Sequence, residues 1–142
     1  QNLTGVSNLS VANTKITTLQ SLAGMTKLTT LDVSGTAVRD FTALTGLPLK
    51  NLYASDCELT DLTSVVLLGS LEILDVSDNA LTEIGAVALM YQLNVLDISN
   101  NYVTDFTPLL NCSRLRSVNC KGSKIPESVL SKLTKNNVSV IQ

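Results

Sequence analysis

Acidic, aromatic and amide side chains recur in this chain at intervals of 21 or 22 residues. The positions that concern recognition are Asp32, Tyr53, Asp75, Asp97 and Asn119. Carboxylates held close together can bind a basic side chain, coordinate a hard cation or, in an enclosed site, act as general acid and base. The sequence has no histidine, no nucleophile paired with a base and no glycine-rich phosphate loop. It therefore predicts a protein that is not an enzyme.

Asp75 and Asp97 are the pair on which a metal ion is easiest to place. Hard cations such as Ca²⁺ take several oxygen ligands, but the usual spacing of a calcium loop is absent here. The three cysteines form no C-x-x-C pair that would indicate zinc. We therefore predict no metal and no other cofactor.

Two further columns of residues accompany the aspartates. Ile73 and Val95 lie two residues before them, and serines follow at Ser55, Ser77 and Ser99. We interpret these columns as a docking surface for a basic or polar segment of another protein, anchored by Tyr53 because aromatic residues are common in binding hot spots. The alternative is that Leu-Asp-Val-Ser is the ordinary strand sequence of the repeat and stays solvated.

A repeat of 21 or 22 residues positions these side chains. Residues 71–84 (LEILDVSDNALTEI) and 93–106 (LNVLDISNNYVTDF) are near copies, and copies begin near residues 6, 28, 49, 71, 93 and 115. In each copy an alternation of apolar and polar residues predicts a strand with one buried face. Apolar residues at every third position then predict a 3₁₀-like turn. Stacked copies would place their strands in parallel, about 4.8 Å apart.

The last copy changes character from residue 125 onward. Pro126, early Glu127, late lysines and Val129 and Leu133 at helical spacing predict a short α-helix. A final strand is predicted over 138–141, and helix and strand together would cap the stack at 125–142. We expect residues 1–142 to form one domain, and Leu3 to be the tail of a repeat that begins before residue 1, so that the chain is part of a longer repeat protein.

Two other columns are predicted to be structural. A small side chain in the turn after each strand would satisfy unpaired backbone groups: Thr14, Thr36, Cys57, Asn79, Asn101 and Ser123. Residues at the start of the convex turn would interact with its free N–H groups: Thr18, Asp40, Asp61, Glu83 and Asp105. Each cysteine occupies a repeat position, and we interpret all three as buried structural residues.

Charge and composition limit the partners. A formal net charge of -2 at pH 7 gives no basic footprint for nucleic acid. The apolar runs are far shorter than the ~20 residues of a membrane span. We therefore expect a protein partner, no nucleic acid, no membrane span and a monomeric domain.

With these residues in view, the chain resembles the 22-residue class of leucine-rich repeats, found in bacterial internalins and in the leucine-rich regulatory subunit of eukaryotic protein phosphatase-1. Residues 28–41 (LTTLDVSGTAVRDF) carry the likeness most clearly. The resemblance implies an α/β repeat fold, a right-handed solenoid with a concave parallel sheet that binds another protein. It leaves three possibilities open: a secreted or cell-surface recognition protein, which low charge and many Ser and Thr residues slightly favour, an intracellular regulatory or scaffold subunit, and a passive structural spacer.

Overall fold

A computed structural model describes residues 4–142. Seven strands form one parallel sheet whose spatial order is the order of the chain. The strands are β1 (Asn8–Ser10), β2 (Thr30–Asp32), β3 (Asn51–Tyr53), β4 (Ile73–Asp75), β5 (Val95–Asp97), β6 (Ser117–Asn119) and β7 (Ser139–Ile141). Each strand pairs only with its sequence neighbours, so every repeat is one layer of a stack.

The convex side is built from short 3₁₀ helices, as the three-residue apolar spacing predicts. They span Gln20–Leu22, Thr42–Leu44, Val65–Leu67, Gly85–Leu89 and Thr107–Asn111. Three residues per turn place every third side chain on one face, and that face is turned into the stack at Leu44, Val65, Val87 and Leu109, each at most 1% exposed. The middle residues of β2 to β6 meet them from the sheet side, which closes one continuous core.

The C-terminal end is covered by the predicted helix and strand. The helix α1 spans Glu127–Lys135, with Pro126 at its N-cap, Glu127 in the first turn, and Lys132 and Lys135 in the last. Charges of this arrangement oppose the helix dipole favourably. Val129 and Leu133 are buried against the last layer, and β7 pairs with β6 in parallel. The predicted solenoid with a helical cap is therefore confirmed.

The first layer is packed less completely than the others. The apolar residues Val6, Leu9, Val11, Ile16 and Leu22 are only partly buried, because no further layer of the described chain lies against their outer side. The expectation for Leu3 falls outside the described residues, and the limits of the domain stay a prediction. Within residues 4–142, no helix is long and apolar enough to cross a bilayer.

Candidate protein-interaction surface

The strand register brings the predicted recognition residues together on β3, β4 and β5. Tyr53 lies beside Asp75, which lies beside Asp97, while Ile73 lies beside Val95. Alternate residues of a strand face the same side, so both columns face away from the core. Val95 is 37% exposed and the other four are half-buried. We call these five residues the concave patch.

The predicted site residues Asp32 and Asn119 extend the same column on either side of the concave patch. Asp32 is in register with Tyr53, and Asn119 with Asp97. Asn119 donates from Nδ2 to Oδ2 of Asp97 at 2.7 Å. Oδ2 of Asp32 accepts a hydrogen bond from Ser10 Oγ at 3.2 Å. Within residues 4–142, no donor bonds to Oδ2 of Asp75, so this oxygen is the carboxylate acceptor of the column that solvent or a partner can use.

Both concave aspartates of β4 and β5 use their other oxygen locally. Oδ1 of Asp75 accepts the backbone N–H of Ser77 at 2.9 Å and its hydroxyl at 2.6 Å. Oδ1 of Asp97 accepts the same two donors from Ser99, at 2.9 and 2.6 Å. The Leu-Asp-Val-Ser sequence thus has a structural role in closing the strand end, which was the alternative interpretation. That role occupies one oxygen of each carboxylate.

The serine column does not present its hydroxyls as expected. Ser77 and Ser99 are buried, 8% and 6% exposed, and their hydroxyls donate to the aspartates. The Ser77 hydroxyl also lies 3.1 Å from that of Ser55, which is half-buried. In a pleated strand, the side chain two residues after an outward-facing one should also face outward. At these serines, however, the chain turns inward. Ser77 and Ser99 therefore hold the aspartates in place, and contact of the serine column with a partner stays a prediction.

The structural role of the turn column is confirmed at Asn79 and Asn101. Oδ1 of Asn79 accepts the backbone N–H groups of Cys57 and Leu59 at 3.0 and 2.8 Å. Its Nδ2 lies within 3.0 Å of three backbone carbonyl oxygens, those of Ala54, Val76 and Ser77. Asn101 repeats the arrangement one layer on. Each asparagine therefore joins two layers through backbone groups that would otherwise be buried without a partner.

Shorter side chains fill the same turn position in the earlier layers. Thr36 donates to the Val33 carbonyl at 2.6 Å. The Cys57 thiol lies 3.3 Å from the Val33 carbonyl and 3.4 Å from that of Ser55. These are the carbonyls that correspond, one layer earlier, to Ala54 and Ser77. The thiol is thus a weaker donor in the position of the asparagine amide, in agreement with the structural interpretation of Cys57.

Burial also determines the protonation behaviour of the other two thiols. Cys112 and Cys120 are both buried, and burial raises the pKa of each to about 11. The nearby carboxylate of Asp97 contributes to the raised pKa of Cys120.

Among the described residues, no group of three or more His, Cys, Asp or Glu side chains could hold a metal ion.

The convex turns begin with the capping interaction that the sequence predicts. Backbone N–H groups two residues on donate to Oδ1 of Asp40, Asp61 and Asp105 at 2.8–2.9 Å. For Asp40 the backbone hydrogen bond from Thr42 is the main cause that lowers the carboxyl pKa. For Asp61 and Asp105 the side chain of the threonine two residues on is the first cause that lowers the pKa.

A rim column next to the concave patch has a conformational role that the sequence analysis missed. Its residues have positive φ angles of 52–87°: Asn13, Gly35, Asp56, Asp78, Asn100 and Gly122. Only Gly, Asn and Asp stand there, and these are the residues that tolerate the left-handed region best. That restriction was the available clue. Asp56 and Asp78 are therefore chosen first by backbone geometry, although their carboxylates remain exposed.

The convex side carries a second group of exposed apolar residues that the sequence analysis did not single out. Leu67 and Leu89 occupy equivalent positions of neighbouring 3₁₀ helices and are 50% and 59% exposed, and Tyr91 is 62% exposed. We call these three residues the convex patch. Their positions lie outside the leucine spacing of the repeat, so the periodicity that finds the core passes over them.

Comparison with known proteins places this geometry in a known fold. No protein-family model matches the sequence, and no curated protein matches it either. The structure of internalin C2 from Listeria monocytogenes is 32% identical over 97% of this chain, with a TM-score of 0.82. Internalin F from the same species is 30% identical over 99% of the chain, with a TM-score of 0.81.

A leucine-rich-repeat protein of Leptospira interrogans shares the fold alone, at 18% identity over 99% of the chain and a TM-score of 0.81. The present chain spans 61% of the internalin C2 structure, 42% of the internalin F structure and 38% of the Leptospira one. The likeness covers the whole described stack, from the first strand to the helical cap. The chain is therefore a leucine-rich-repeat protein with an internalin-like fold.

Proposed function

We propose that this domain is a non-enzymatic protein–protein interaction module whose partner binds the concave patch. The observation that carries the proposal is the partly exposed pair of Ile73 and Val95, with Tyr53 on the next strand, on a sheet face that is otherwise polar from β1 to β6. Covering grouped apolar side chains with another surface lowers the free energy, because it removes them from water. An internalin-like leucine-rich-repeat fold is generally an interaction scaffold, which supports the same function.

The rigidity of the surface supports recognition. Each strand of the patch is paired on both sides, and the outward side chains stand on the tightly packed middle residues Leu52, Leu74 and Leu96. Buried hydrogen bonds from Ser77 and Ser99 fix the aspartates. A partner therefore meets a surface that loses little conformational entropy on binding, and such preorganisation increases affinity.

The chemistry of the patch favours binding over catalysis. Its two neighbouring carboxylates lie on an open sheet face and not in the enclosed pocket that acid–base catalysis requires. The partner we expect is another protein that contributes a basic or polar segment, with no nucleic acid, and the domain itself is expected to be monomeric. No cofactor is needed for this function.

We place the protein at the cell surface or outside the cell, in line with its likeness to internalins and its weakly charged composition. The second candidate is an intracellular regulatory or scaffold subunit that targets an enzyme. Three buried, unpaired cysteines favour it, because reduced thiols are usual inside cells. Fractionation of the native cells with an antibody against the domain distinguishes the two: the protein in the surface or secreted fraction supports the first, and in the cytosol the second.

The main test compares three versions of the domain as bait in affinity capture from the native source. One is unchanged, one carries Tyr53→Ser, Ile73→Thr and Val95→Thr, and the third carries Leu67→Ser, Leu89→Ser and Tyr91→Ser on the convex patch as a matched control. Circular dichroism and thermal melting must show that all three are folded. A protein retained by the unchanged and convex-substituted baits, and lost by the concave-substituted bait, supports the proposal.

Two other outcomes contradict it. If only the convex substitutions remove the captured protein, binding is real but the concave patch is the wrong surface. If no protein depends on either patch, the passive structural spacer becomes the better description, because a spacer needs no specific contact on either face.

A further inference from the structure

Charge is distributed very unevenly along the stack. Residues 51–113 contain nine acidic residues and no lysine or arginine, whereas residues 114–142 contain six basic residues and one acidic residue. The layers follow one another in chain order, so this separation along the sequence is also a separation in space. Residues 51–113, which include β3, β4 and β5, therefore carry a formal charge of −9, next to residues 114–142, which carry +5.

Cations that precede residue 51 in the chain pair with only part of this negative charge. Arg39 forms an ion pair with Glu58, and Lys50 Nζ lies 2.8 Å from Glu72 Oε1. Across residues 4–142 the structure shows no other salt bridge. The aspartates of the concave patch are bonded to neutral donors alone, and hydrogen bonds from serine and asparagine stabilise an ionised carboxylate without cancelling its charge.

The apolar residues of the concave patch limit which partner side chains can cover it. Ile73 and Val95 stand two residues from the carboxylates on the same strands, and Tyr53 lies beside Asp75. Arginine and lysine combine an aliphatic stem with a cationic head, and arginine also stacks on aromatic rings. Such a side chain can lie over the apolar residues while its head reaches a carboxylate. An acidic or wholly apolar segment would desolvate these carboxylates without providing a partner.

The flanking layer limits where a cationic segment can lie. Arg116 just before β6 and Lys121 just after it are exposed, and Asn119 of β6 already bonds to Asp97. Positive side chains there repel a positive segment. We propose that the concave patch is covered by an extended, cationic segment of the partner polypeptide, which contacts β3, β4 and β5 and avoids β6. Three neighbouring strands span roughly 10 Å, about the length of three extended residues.

This inference rests on the proposed function and specifies the partner's chemistry. It is tested by selecting binders of the folded domain from a display library of random 12-residue peptides in 50 mM NaCl. Clones are then tested against the Ile73→Thr/Val95→Thr variant. We expect an excess of peptides in which Arg or Lys stands next to an apolar or aromatic residue, and we expect them to lose at least tenfold in affinity for that variant.

The role of charge is isolated by a matched pair of variants. Asp75→Asn/Asp97→Asn removes two charges from the concave patch, and Asp61→Asn/Asp105→Asn removes two from the convex side of nearby layers. Asparagine retains one oxygen for the hydrogen bonds that Oδ1 accepts at all four positions, and at Asp97 it gives up only the bond that Oδ2 accepts from Asn119. Selected peptides should bind the first variant at least tenfold more weakly and the second within about twofold of the unchanged domain. The difference should shrink at 500 mM NaCl, because salt screens exposed charges.

The remaining outcomes separate this inference from the proposed function. Peptides that depend on Ile73 and Val95 but carry no excess of positive charge overturn the cationic partner and leave the concave surface supported. Peptides indifferent to the concave substitutions overturn both proposals. Equal losses in the two charge variants show attraction to net charge alone and also overturn the inference, as does a library that yields no binder.

Discussion

Two polar columns run through the same layers and have opposite roles. The turn column, represented by Asn79 and Asn101, is buried and bonded almost entirely to backbone groups of two layers. In the concave column, represented by Asp75 and Asp97, one oxygen of each carboxylate bonds to its own strand end. The second oxygen is open to solvent at Asp75 and is bonded to Asn119 at Asp97. The comparison shows that a recurring polar residue can hold the fold together or be available to a partner, and that burial distinguishes the two.

The largest expected effect is on stability, from loss of one turn asparagine. Asn79→Ala leaves the N–H groups of Cys57 and Leu59 and the carbonyls served by Nδ2 buried without their partner. We expect the free energy of unfolding to fall by about 2–4 kcal/mol, the cost of one or two buried groups left unpaired. Urea denaturation measures the change. If Asn79→Ala costs no more than an exposed Thr→Ala substitution, the turn column does not hold the layers together.

A smaller effect of opposite sign is expected at the cysteine of the same column. The Cys57 thiol already lies near the carbonyls of Val33 and Ser55, so Cys57→Asn would place an amide where Asn79 has one in the next layer. We expect the free energy of unfolding to rise by about 1 kcal/mol, the usual net value of an added hydrogen bond. Thermal melting of the two forms checks this, and a lowered melting temperature would show that this layer is too narrow for the amide.

Alkaline pH is expected to act through the buried thiols. The pKa values of Cys112 and Cys120 are about 11 in the folded chain, against an ordinary value of 9.0. Between pH 9 and 11 the unfolded chain therefore binds fewer protons at these thiols than the folded chain, and stability falls as pH rises. Urea denaturation at pH 8, 9 and 10 measures the slope. The Cys112→Ala/Cys120→Ala variant should have a shallower slope, and an unchanged slope would assign the effect to other groups.

The smallest change in stability is expected from the concave column, where the effect should be on binding. Asp75→Asn preserves the acceptor for Ser77, so the free energy of unfolding should change by less than about 0.5 kcal/mol, as for most surface substitutions. Asp97→Asn preserves the acceptor for Ser99 but loses the hydrogen bond from Asn119, so it should cost slightly more. Urea denaturation of each single variant tests this. A loss as large as that of Asn79→Ala would make the aspartates structural and remove the contrast between the columns.

Much of the fold could be predicted because the repeat imposes one rule on every layer. Strand positions, the 3₁₀ turns, the buried turn column and the change to a helix after residue 125 all follow from where apolar residues recur. The prediction went less far at Ser77 and Ser99. Alternation along a strand predicts that both serines face outward. The strand ends before it reaches them, however, and the period of the repeat does not indicate where a three-residue strand ends.

The sequence predicted which site residues are neighbours, but it did not predict which of their atoms are exposed to a partner. A period of 21 or 22 residues brings Tyr53, Asp75 and Asp97 into register without further information. The hydrogen bond from Asn119 to Asp97, which leaves Asp75 as the aspartate with an oxygen free of protein donors, depends on side-chain geometry between layers. The exposure of Leu67 and Leu89 depends on the backbone conformation of each convex turn, which the repeat spacing does not predict either.

The left-handed rim column limits how this protein can evolve or be redesigned. A β-branched or bulky residue at Asn13, Asp56, Asp78 or Asn100 would be strained whatever its value for binding. New specificity must therefore arise in the strand columns, where the backbone is extended and accepts any side chain. A combinatorial library that varies positions 51, 53, 73, 75, 95 and 97 and keeps the rim unchanged would explore recognition while preserving the turns that define each layer.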